Sequence, residues 1–179
     1  YDLNNEYDED YSEFEMFMAR KELKFITRRM NRGRIKSIND GCFVSGAPFG
    51  YRNAVINKKH TLEVYEPEAK YVRMIFDMYV NQSMGITSIS RQLANLGVLS
   101  KKNTPLHPTT IARMLRNHTY IGKIVWNKSK SVKGKNTQEK TSKDDWLYVP
   151  GLHEPIIDED TFNKAQDIIN LKYKPPMRT

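Results

Sequence analysis

The stretch of sequence that decides the fold runs from Thr87 to Asn117 and is TSISRQLANLGVLSKKNTPLHPTTIARMLRN. Its first part predicts a short helix that Thr87 would cap and that Gly97 would end. The apolar residues of this helix, at helical spacing, are Ile89, Leu93 and Leu96. A polar connection over residues 98–107 leads to Pro108, which is a favourable first residue for a second helix. The inward residues of that helix are expected to be Ile111, Met114 and Leu115.

The second helix, expected over 108–117, leaves polar and basic side chains on the side away from its apolar face. They are Thr109, Thr110, Arg113, Arg116 and Asn117. Such side chains can form hydrogen bonds with base edges in a DNA groove, and a helix presented by a preceding short helix is typical of helix-turn-helix proteins. The connection is longer than the usual turn. An ordinary pair of packed helices with a polar outer face therefore explains the pattern equally well.

The flanking segments predict a small mixed fold around this pair. Val55–Ile56 and Leu62–Tyr65 favour short strands, and Pro67 favours the start of a helix with an apolar stripe. Tyr120–Trp126 and Trp146–Val149 favour a later hairpin, and Asp158 is suited to cap a closing helix. We predict an α+β fold in which a long N-terminal helix precedes a small, mainly helical domain with a helix-turn-helix-like pair and a short β-hairpin.

The long helix is expected from about Ser12, after an acidic loop over residues 1–11. Its first part carries an apolar stripe made of Phe14, Phe17, Met18 and Phe25. Eight basic residues follow between Arg20 and Lys36, and only Glu22 opposes them. The basic part suits phosphates or a narrow minor groove, and its candidate residues are Arg28, Arg32, Arg34 and Lys36. The alternative is a solvated helix face.

The charge distribution favours a polyanionic partner. The chain of 179 residues has 29 Lys and Arg and 21 Asp and Glu, a formal charge of +8. Residues 1–15 contain seven of the acids and no Lys or Arg, so the remainder carries about +15. A solvated basic surface on an ordinary protein is the alternative. Residues 127–143 hold six lysines and one acid and predict a mobile loop whose phosphate contacts would be nonspecific.

Several classes of protein are disfavoured by what the sequence lacks. The lone cysteine, Cys42, permits neither an internal disulfide nor a four-cysteine zinc site. No apolar run approaches the roughly 20 residues of a membrane span, and no secretory signal is visible, so a cytoplasmic location is expected. There is no phosphate-binding glycine loop, metal-ligand cluster or nucleophile elbow. We therefore expect no metal, no cofactor and no active site in this chain.

Five short motifs, in order, resemble the recombinase domain of the large serine recombinases, the family of phage integrases and mobile-element recombinases. The first is Gly46–Arg52, GAPFGYR, which is similar to the pattern G-x-P-x-G-Y. The others are Glu68 with Val72–Phe76, Ile89 with Leu93–Val98, Thr110–Ile111 with Leu115–Asn117 and Tyr120–Gly122, and His153–Ile157 with Phe162. The likeness covers roughly residues 40–170. His107 and His118 depart from it, because the family usually has Trp and Pro there.

The resemblance implies a parent enzyme in which a serine attacks a DNA phosphodiester and four subunits exchange strands without metal or nucleotide. That serine belongs to a catalytic domain that this chain lacks, so no catalytic residue is assigned and the fragment is expected to be inactive alone. The chain opens at Tyr1 and is expected to be an internal piece. The expected parts are a connecting helix in 1–39, a DNA-binding domain in 40–171 and a linker in 172–179.

The leading hypothesis is binding of double-stranded DNA at half of an attachment site, as a dimer on the site and a tetramer in the synapse. Thr109, Thr110 and Arg113 would contact bases. The residues expected at phosphates are Arg28, Arg32, Arg34, Lys36, Lys101, Lys102 and Arg116. Two alternatives remain open. One is a helix-turn-helix transcription regulator without a catalytic partner, and the other is a protein–protein assembly module with residues 12–30 as its interface.

Overall fold

The computed structural model describes residues 6–131 and 137–172 and divides the chain into two compact units, Tyr1–Asp40 and Gly41–Thr179. The first unit contains helix α1, Glu6–Asn39. The helices of the second unit are α2 (Glu66–Val80), α3 (Ile86–Asn95), α4 (Pro108–Met114) and α5 (Glu159–Lys172). Its strands are β1 (Tyr51–Ile56), β2 (Lys59–Val64), β3 (Lys123–Trp126), β4 (Ser129–Ser131), β5 (Gln138–Lys140) and β6 (Leu147–Pro150). The predicted α+β class with a long N-terminal helix is confirmed.

Helix α1 begins at Glu6, so the prediction of a loop up to residue 11 was wrong over its second half. Acidic residues favour the positive end of a helix dipole, and this preference explains the earlier start. The apolar side chains predicted to pack are exposed in this unit, and Phe14, Phe17 and Phe25 are 59%, 52% and 65% exposed. Their spacing predicted the helix correctly, but no residue of the same helix can cover them.

Strands β1 and β2 form an antiparallel hairpin with register from Tyr51 opposite Val64 to Ile56 opposite Lys59. Asn57 and Lys58 make the two-residue turn with φ of 50° and 63°, as a type I′ turn requires. The predicted strands are confirmed, and the first extends back to Tyr51 beyond its predicted start.

The Gly46–Arg52 motif has a structural explanation at Gly50. Its φ of +91° is readily accessible only to glycine, and a Cβ there would lie 2.9 Å from Val72 Cγ2. The Gly50 amide also donates a hydrogen bond of 2.8 Å to Glu68 Oε2. Two of the motifs that carry the family resemblance therefore meet here, where the chain enters β1 and packs on α2.

Two buried tyrosines join the ends of the second unit across long stretches of sequence. The Tyr51 hydroxyl donates to the Glu154 carbonyl at 2.8 Å, and the Tyr120 hydroxyl donates to the Phe49 carbonyl at 2.9 Å. Their rings stack with centroids 6.1 Å apart. Burial raises the pKa of both phenols, so both remain protonated donors. The Tyr120 bond holds the segment before β1 against the segment after α4, and the Tyr51 bond holds the start of β1 against the segment before α5.

Helix α3 differs from its prediction at both ends. It begins at Ile86 with Gly85 at the N-cap, so Thr87 is not the capping residue. Leu96 was expected to face inward and is 55% exposed, because the helix ends at Asn95 and Leu96 is already the C-cap. Gly97 follows with φ of +69°, as predicted for a residue that ends a helix. The inward positions of Ile89 and Leu93 are confirmed.

Helix α4 ends at Met114, earlier than the predicted Asn117, yet Ile111, Met114 and Leu115 are buried as expected. A 3₁₀ turn, His118–Ile121, then replaces the start of the predicted strand. The side chain of Asn117 caps this turn by accepting a hydrogen bond of 3.2 Å from the Thr119 amide. That local bond competes with extended backbone, which a count of strand-forming residues does not register.

Strands β3 and β6 pair antiparallel from Lys123–Pro150 to Trp126–Leu147, and this confirms the later hairpin. Strands β4 and β5 also pair, within the segment predicted to be a loop, so that prediction was wrong at its two ends. Backbone hydrogen bonds between two strands require no hydrophobic core, which is why composition did not indicate them. Residues 132–136 of the predicted loop, and residues 173–179 of the predicted linker, lie outside the described residues.

The closing helix α5 has the predicted cap, because the Thr161 amide donates a hydrogen bond of 2.7 Å to Asp158 Oδ1. The same bond lowers the pKa of the Asp158 carboxyl. Phe162 and Ala165 bury one face of the helix in the core that α2 and α4 share. The α5 side chain of Gln166 donates to the Leu115 carbonyl at 2.6 Å and so fixes the end of α4.

Candidate nucleic-acid interface

The outward side of α4 is open to solvent. Thr109, Arg113 and Arg116 are exposed and Thr110 is half-buried, while Ile111 and Leu115 are fully buried on the opposite side. The buried pair anchors the helix in the core. The four residues proposed from the sequence for DNA contacts therefore lie at the surface, three of them on α4 and Arg116 just after its end.

The start of α4 is fixed by His107, one of the two residues that depart from the family pattern. Its Nδ1 accepts a hydrogen bond from the Thr109 amide at 3.4 Å and lies 3.0 Å from Thr109 Oγ1. On the residue before it, the Leu106 carbonyl accepts a hydrogen bond of 2.7 Å from Ser90 Oγ on α3. His107 is thus the N-cap of the helix, and it orients the Thr109 hydroxyl as well.

The connection between α3 and α4 is a closed loop. The Ser100 amide donates to the Thr104 carbonyl at 2.7 Å, and Leu99 and Pro105 form an isolated bridge. These bonds explain how a connection longer than a helix-turn-helix turn still holds α4 at a fixed position relative to α3. The helix-turn-helix-like pair is preserved, with an ordered loop in place of the short turn.

Lys101 and Lys102, both in this loop and both expected at phosphates, differ in their contacts. The Lys101 ammonium donates to the carbonyl oxygens of Ala47 at 3.1 Å and Tyr51 at 2.5 Å. Burial lowers the pKa of this ammonium. Lys102 is exposed, and its ammonium forms no hydrogen bond or ion pair with any residue that the structure describes. Lys102 is free to contact a ligand, whereas Lys101 holds the loop against the segment that enters β1.

A groove of about 550 Å³ lies along α4, and we call it the α4 groove. It is lined by Pro48, Phe49, Thr110, Ala112, Arg113, Met114, Arg116, Asn117, Tyr120 and Lys128. Three of these residues are basic and none is acidic. The Arg116 guanidinium donates a hydrogen bond of 3.1 Å to the Ala112 carbonyl, one turn earlier. The groove therefore offers an anion a basic surface next to the buried side chains of Met114 and Tyr120.

The sequence predicts Lys128 only as one of six lysines in a mobile loop whose phosphate contacts would be nonspecific. The structure places it half-buried beside α4, with Nζ 5.3 Å from the centroid of the Trp146 ring. No local pattern distinguishes this lysine from the other lysines between residues 127 and 143. Only the pairing of the strands around it reveals the position.

The basic residues proposed on α1, Arg28, Arg32, Arg34 and Lys36, are all exposed. They lie on the last three turns of the helix, where Ser37 Oγ donates to the Gly33 carbonyl at 3.0 Å. Within that unit they form a continuous cationic stretch. They belong to a different compact unit from α4.

The two histidines of the later part of the chain have structural surroundings. The His118 ring packs 5.3 Å from Tyr148 and 5.0 Å from Phe162, and burial lowers its pKa. His153 is 5% exposed, with Nε2 2.8 Å from the Thr119 carbonyl. Burial lowers the pKa of His153 as well. Both imidazoles are therefore favoured in the neutral form.

The described residues contain no group of three or more His, Cys, Asp and Glu that could hold a metal ion. Across residues 6–131 and 137–172, no helix is long and apolar enough to cross a bilayer.

Comparisons with known proteins identify relatives of this architecture. The family model described as Recombinase matches residues 66–172. A putative DNA recombinase of Bacillus subtilis (strain 168) is 29% identical over 103 residues, which cover 54% of this chain and 20% of the relative. The chain thus spans about a fifth of the curated relative's length.

Two solved structures are similar to this chain at 30% identity. One, described as "Sequence Requirements of the Listeria innocua prophage attP site", has a TM-score of 0.56 over 79% of this chain and 51% of its own. The other, described as "Crystal Structure of a LSR-DNA Complex", has a TM-score of 0.57 over 83% of this chain and 39% of its own.

Proposed function

The chain belongs to the Recombinase family and is similar to the large serine recombinases, and from that premise we propose that it is the part of a site-specific recombinase that recognises one half of an attachment site. The observation that carries the proposal is the open outward side of α4, with exposed Thr109, Arg113 and Arg116 above the buried Ile111 and Leu115. Recombination, DNA binding and site-specific recombinase activity are properties of this family.

In this proposal, Thr109, Thr110 and Arg113 contact base edges in the major groove. Arginine and threonine side chains suit that role, since guanidinium groups bind guanine and hydroxyls accept or donate to several bases. Arg116 and Lys102 contact phosphates, and the exposed basic stretch of α1 contributes further phosphate contacts through Arg28, Arg32, Arg34 and Lys36. Lys101 supports the surface from within, through its bonds to backbone carbonyls.

The remaining parts of the proposal concern the whole protein. Residues 1–39 connect to a catalytic domain that supplies a serine nucleophile, and residues 172–179 lead to a further domain. This fragment is inactive alone, and the parent acts in the cytoplasm as a dimer on each site and a tetramer in the synapse. The exposed phenylalanines of α1, at positions 14, 17 and 25, supply an apolar surface for packing between subunits. An upstream reading frame without a serine recombinase catalytic domain would contradict this part.

The base-contact assignment is tested by selecting preferred duplexes from a randomised pool with the full chain and then measuring the affinity of variants. Arg113→Ala should cost about 1–3 kcal/mol on the preferred duplex and relax the preference at one position, whereas Lys102→Ala should weaken all duplexes alike. If about six phosphates are neutralised, log K should fall with log salt with a slope of roughly −5. Equal losses for Arg113→Ala on preferred and mixed sequences would remove this residue from base contact.

The alternative of an assembly module keeps one supporting observation, the exposed apolar side chains of α1. The two proposals differ in their response to salt, since phosphate binding weakens steeply as salt rises. A chain that ignores duplex DNA even in dilute buffer, but self-associates in a manner that substitution of Phe14 and Phe25 by serine abolishes, would favour assembly as its role.

A further inference from the structure

Lys128 is a partly buried cation with no acidic partner among the residues that the structure describes. It lies two residues beyond the end of β3, and burial alone lowers the pKa of its ammonium. The ion pairs among the described residues are Arg73–Glu66 and Lys123–Glu159, and neither includes Lys128. Its ammonium lies 5.3 Å from the centroid of the Trp146 ring, and its charge also contributes to the lowered pKa of the His118 imidazole. A charge that is removed from water without a counter-charge is unfavourable, and a bound anion would relieve this cost.

The backbone around Lys128 is built to hold it in place. Asn127 adopts φ of +64°, and its side-chain amide donates a hydrogen bond of 3.0 Å to the Asp145 carbonyl. The Lys128 carbonyl accepts a hydrogen bond of 3.1 Å from the Thr141 amide, and the Thr141 hydroxyl donates to the Asn127 carbonyl. Trp146 Nε1 donates a further hydrogen bond of 3.4 Å to the Thr141 carbonyl. These four hydrogen bonds fix the backbone on both sides of the lysine. None of these bonds uses the Lys128 ammonium, so the backbone at this position is fixed while the charge stays available to a ligand.

Lys128 has basic neighbours on the side of α4, where it lines the α4 groove together with Arg113 and Arg116. It also lines a smaller groove of about 240 Å³, which has no other charged residue in its lining. Another groove of this unit, about 490 Å³, also contains a lysine, Lys123, but there Glu159 lies 2.5 Å from its ammonium. The α4 groove has no such acid in its lining. Positive charge is therefore concentrated without compensation beside the helix proposed to enter DNA.

We propose that Lys128 binds a backbone phosphate of the duplex that α4 contacts, with the phosphate seated in the α4 groove beside Arg113 and Arg116. The inference rests on the proposed function, and it adds a contact from the hairpin region that follows α4. Such a contact carries no sequence information, but it sets the register and tilt of α4 on the duplex. The tightly held backbone at Asn127 and Thr141 makes it a fixed point rather than a contact from a flexible loop.

The test compares four forms of the full chain: wild type, Lys128→Met, Lys128→Arg and Lys164→Met. Methionine keeps most of the apolar stem on Trp146 while it removes the charge. Lys164 on α5 is exposed and lines none of the grooves described above, so its variant controls for the loss of one positive charge. Affinity for a mixed-sequence duplex and for the selected duplex is measured by fluorescence anisotropy at several salt concentrations.

Lys128→Met should reduce the magnitude of the log K against log salt slope by about 0.9 and lower affinity near 0.1 M salt about tenfold on both duplexes. Lys128→Arg and Lys164→Met should stay near wild type, and all four forms should unfold at similar temperatures. A Lys128→Met slope equal to that of the wild type, or an equal loss in Lys164→Met, would overturn the assignment. Failure of the wild type to bind either duplex would instead overturn the proposed function on which it rests.

Discussion

Substituting Lys101 by methionine separates a lysine that supports the structure from one that binds DNA. The ammonium of Lys101 donates to the carbonyl oxygens of Ala47 and Tyr51, at 3.1 Å and 2.5 Å, and so ties the loop before α4 to the segment that enters β1. Hydrogen bonds from a charged donor contribute about 1.5–3 kcal/mol each. Ala47 is half-buried and its carbonyl can regain water, whereas Tyr51 is fully buried, so we expect the free energy of unfolding to fall by about 1–3 kcal/mol in total, mostly through the bond to Tyr51.

The matched control is Lys102→Met, because Lys102 is the neighbouring residue in the same loop and is exposed. Its substitution should change the free energy of unfolding by no more than about 0.5 kcal/mol. For a domain of this size, each kcal/mol lowers the melting temperature by roughly 2–4 °C, so Lys101→Met should melt about 3–10 °C below the wild type. Thermal unfolding of the full chain, followed by circular dichroism at neutral pH, measures both variants.

DNA binding then provides the second readout. Lys101→Met should lower affinity through a displaced α4 while leaving the salt slope close to that of the wild type, since its ammonium is not on a phosphate. Lys102→Met should reduce the magnitude of the slope by about 0.9. If Lys101→Met instead melts at the wild-type temperature and reduces the slope as Lys102→Met does, the positioning role is wrong and the original expectation of a phosphate contact is right.

Two further predictions concern His153 and its surroundings. Gly151→Ala would place a Cβ 2.3 Å from His153 Nδ1, so the ring must move away from the Thr119 carbonyl. We expect the free energy of unfolding, measured by thermal unfolding, to fall by about 2–3 kcal/mol. Gly46→Ala is the control, because its Cβ would meet nothing within 4 Å, and equal melting temperatures for the two variants would refute the clash. Burial lowers the pKa of His153 and His118, so below the ordinary histidine pKa of about 6.5 the unfolded state binds more protons than the folded state. The free energy of unfolding should therefore decrease as the pH is lowered, by at most about 1.4 kcal/mol per pH unit for each histidine. Denaturant unfolding between about pH 7.5 and 5.5 measures this, His153→Gln should flatten the dependence, and a flat wild-type curve would contradict it.

The elements with strong helical spacing were predictable from sequence. The buried side of α2, the inward residues of α4 and the Asp158 cap all follow from local spacing and chemistry. These features depend on residues within one or two turns of each other, where local preference and tertiary packing agree.

The parts that sequence reasoning missed depend on contacts between distant residues. Nothing local distinguishes Lys101, which bonds to the Tyr51 carbonyl, from its neighbour Lys102. The same is true of Lys128 within its lysine-rich segment. The family resemblance singled out Gly50 and Glu68 separately, but only the structure reveals that they bond to each other. Spacing along the chain contains no information on which backbone carbonyl a side chain meets.

Whether α4 meets the DNA is measured by following the backbone amides of the isotope-labelled full chain by NMR while the selected duplex is added in dilute buffer. We expect the largest shifts at residues 109–117 and at Lys128, and we expect added salt to reverse them. Amides of α4 that stay unchanged while the duplex binds elsewhere in the chain would contradict this expectation.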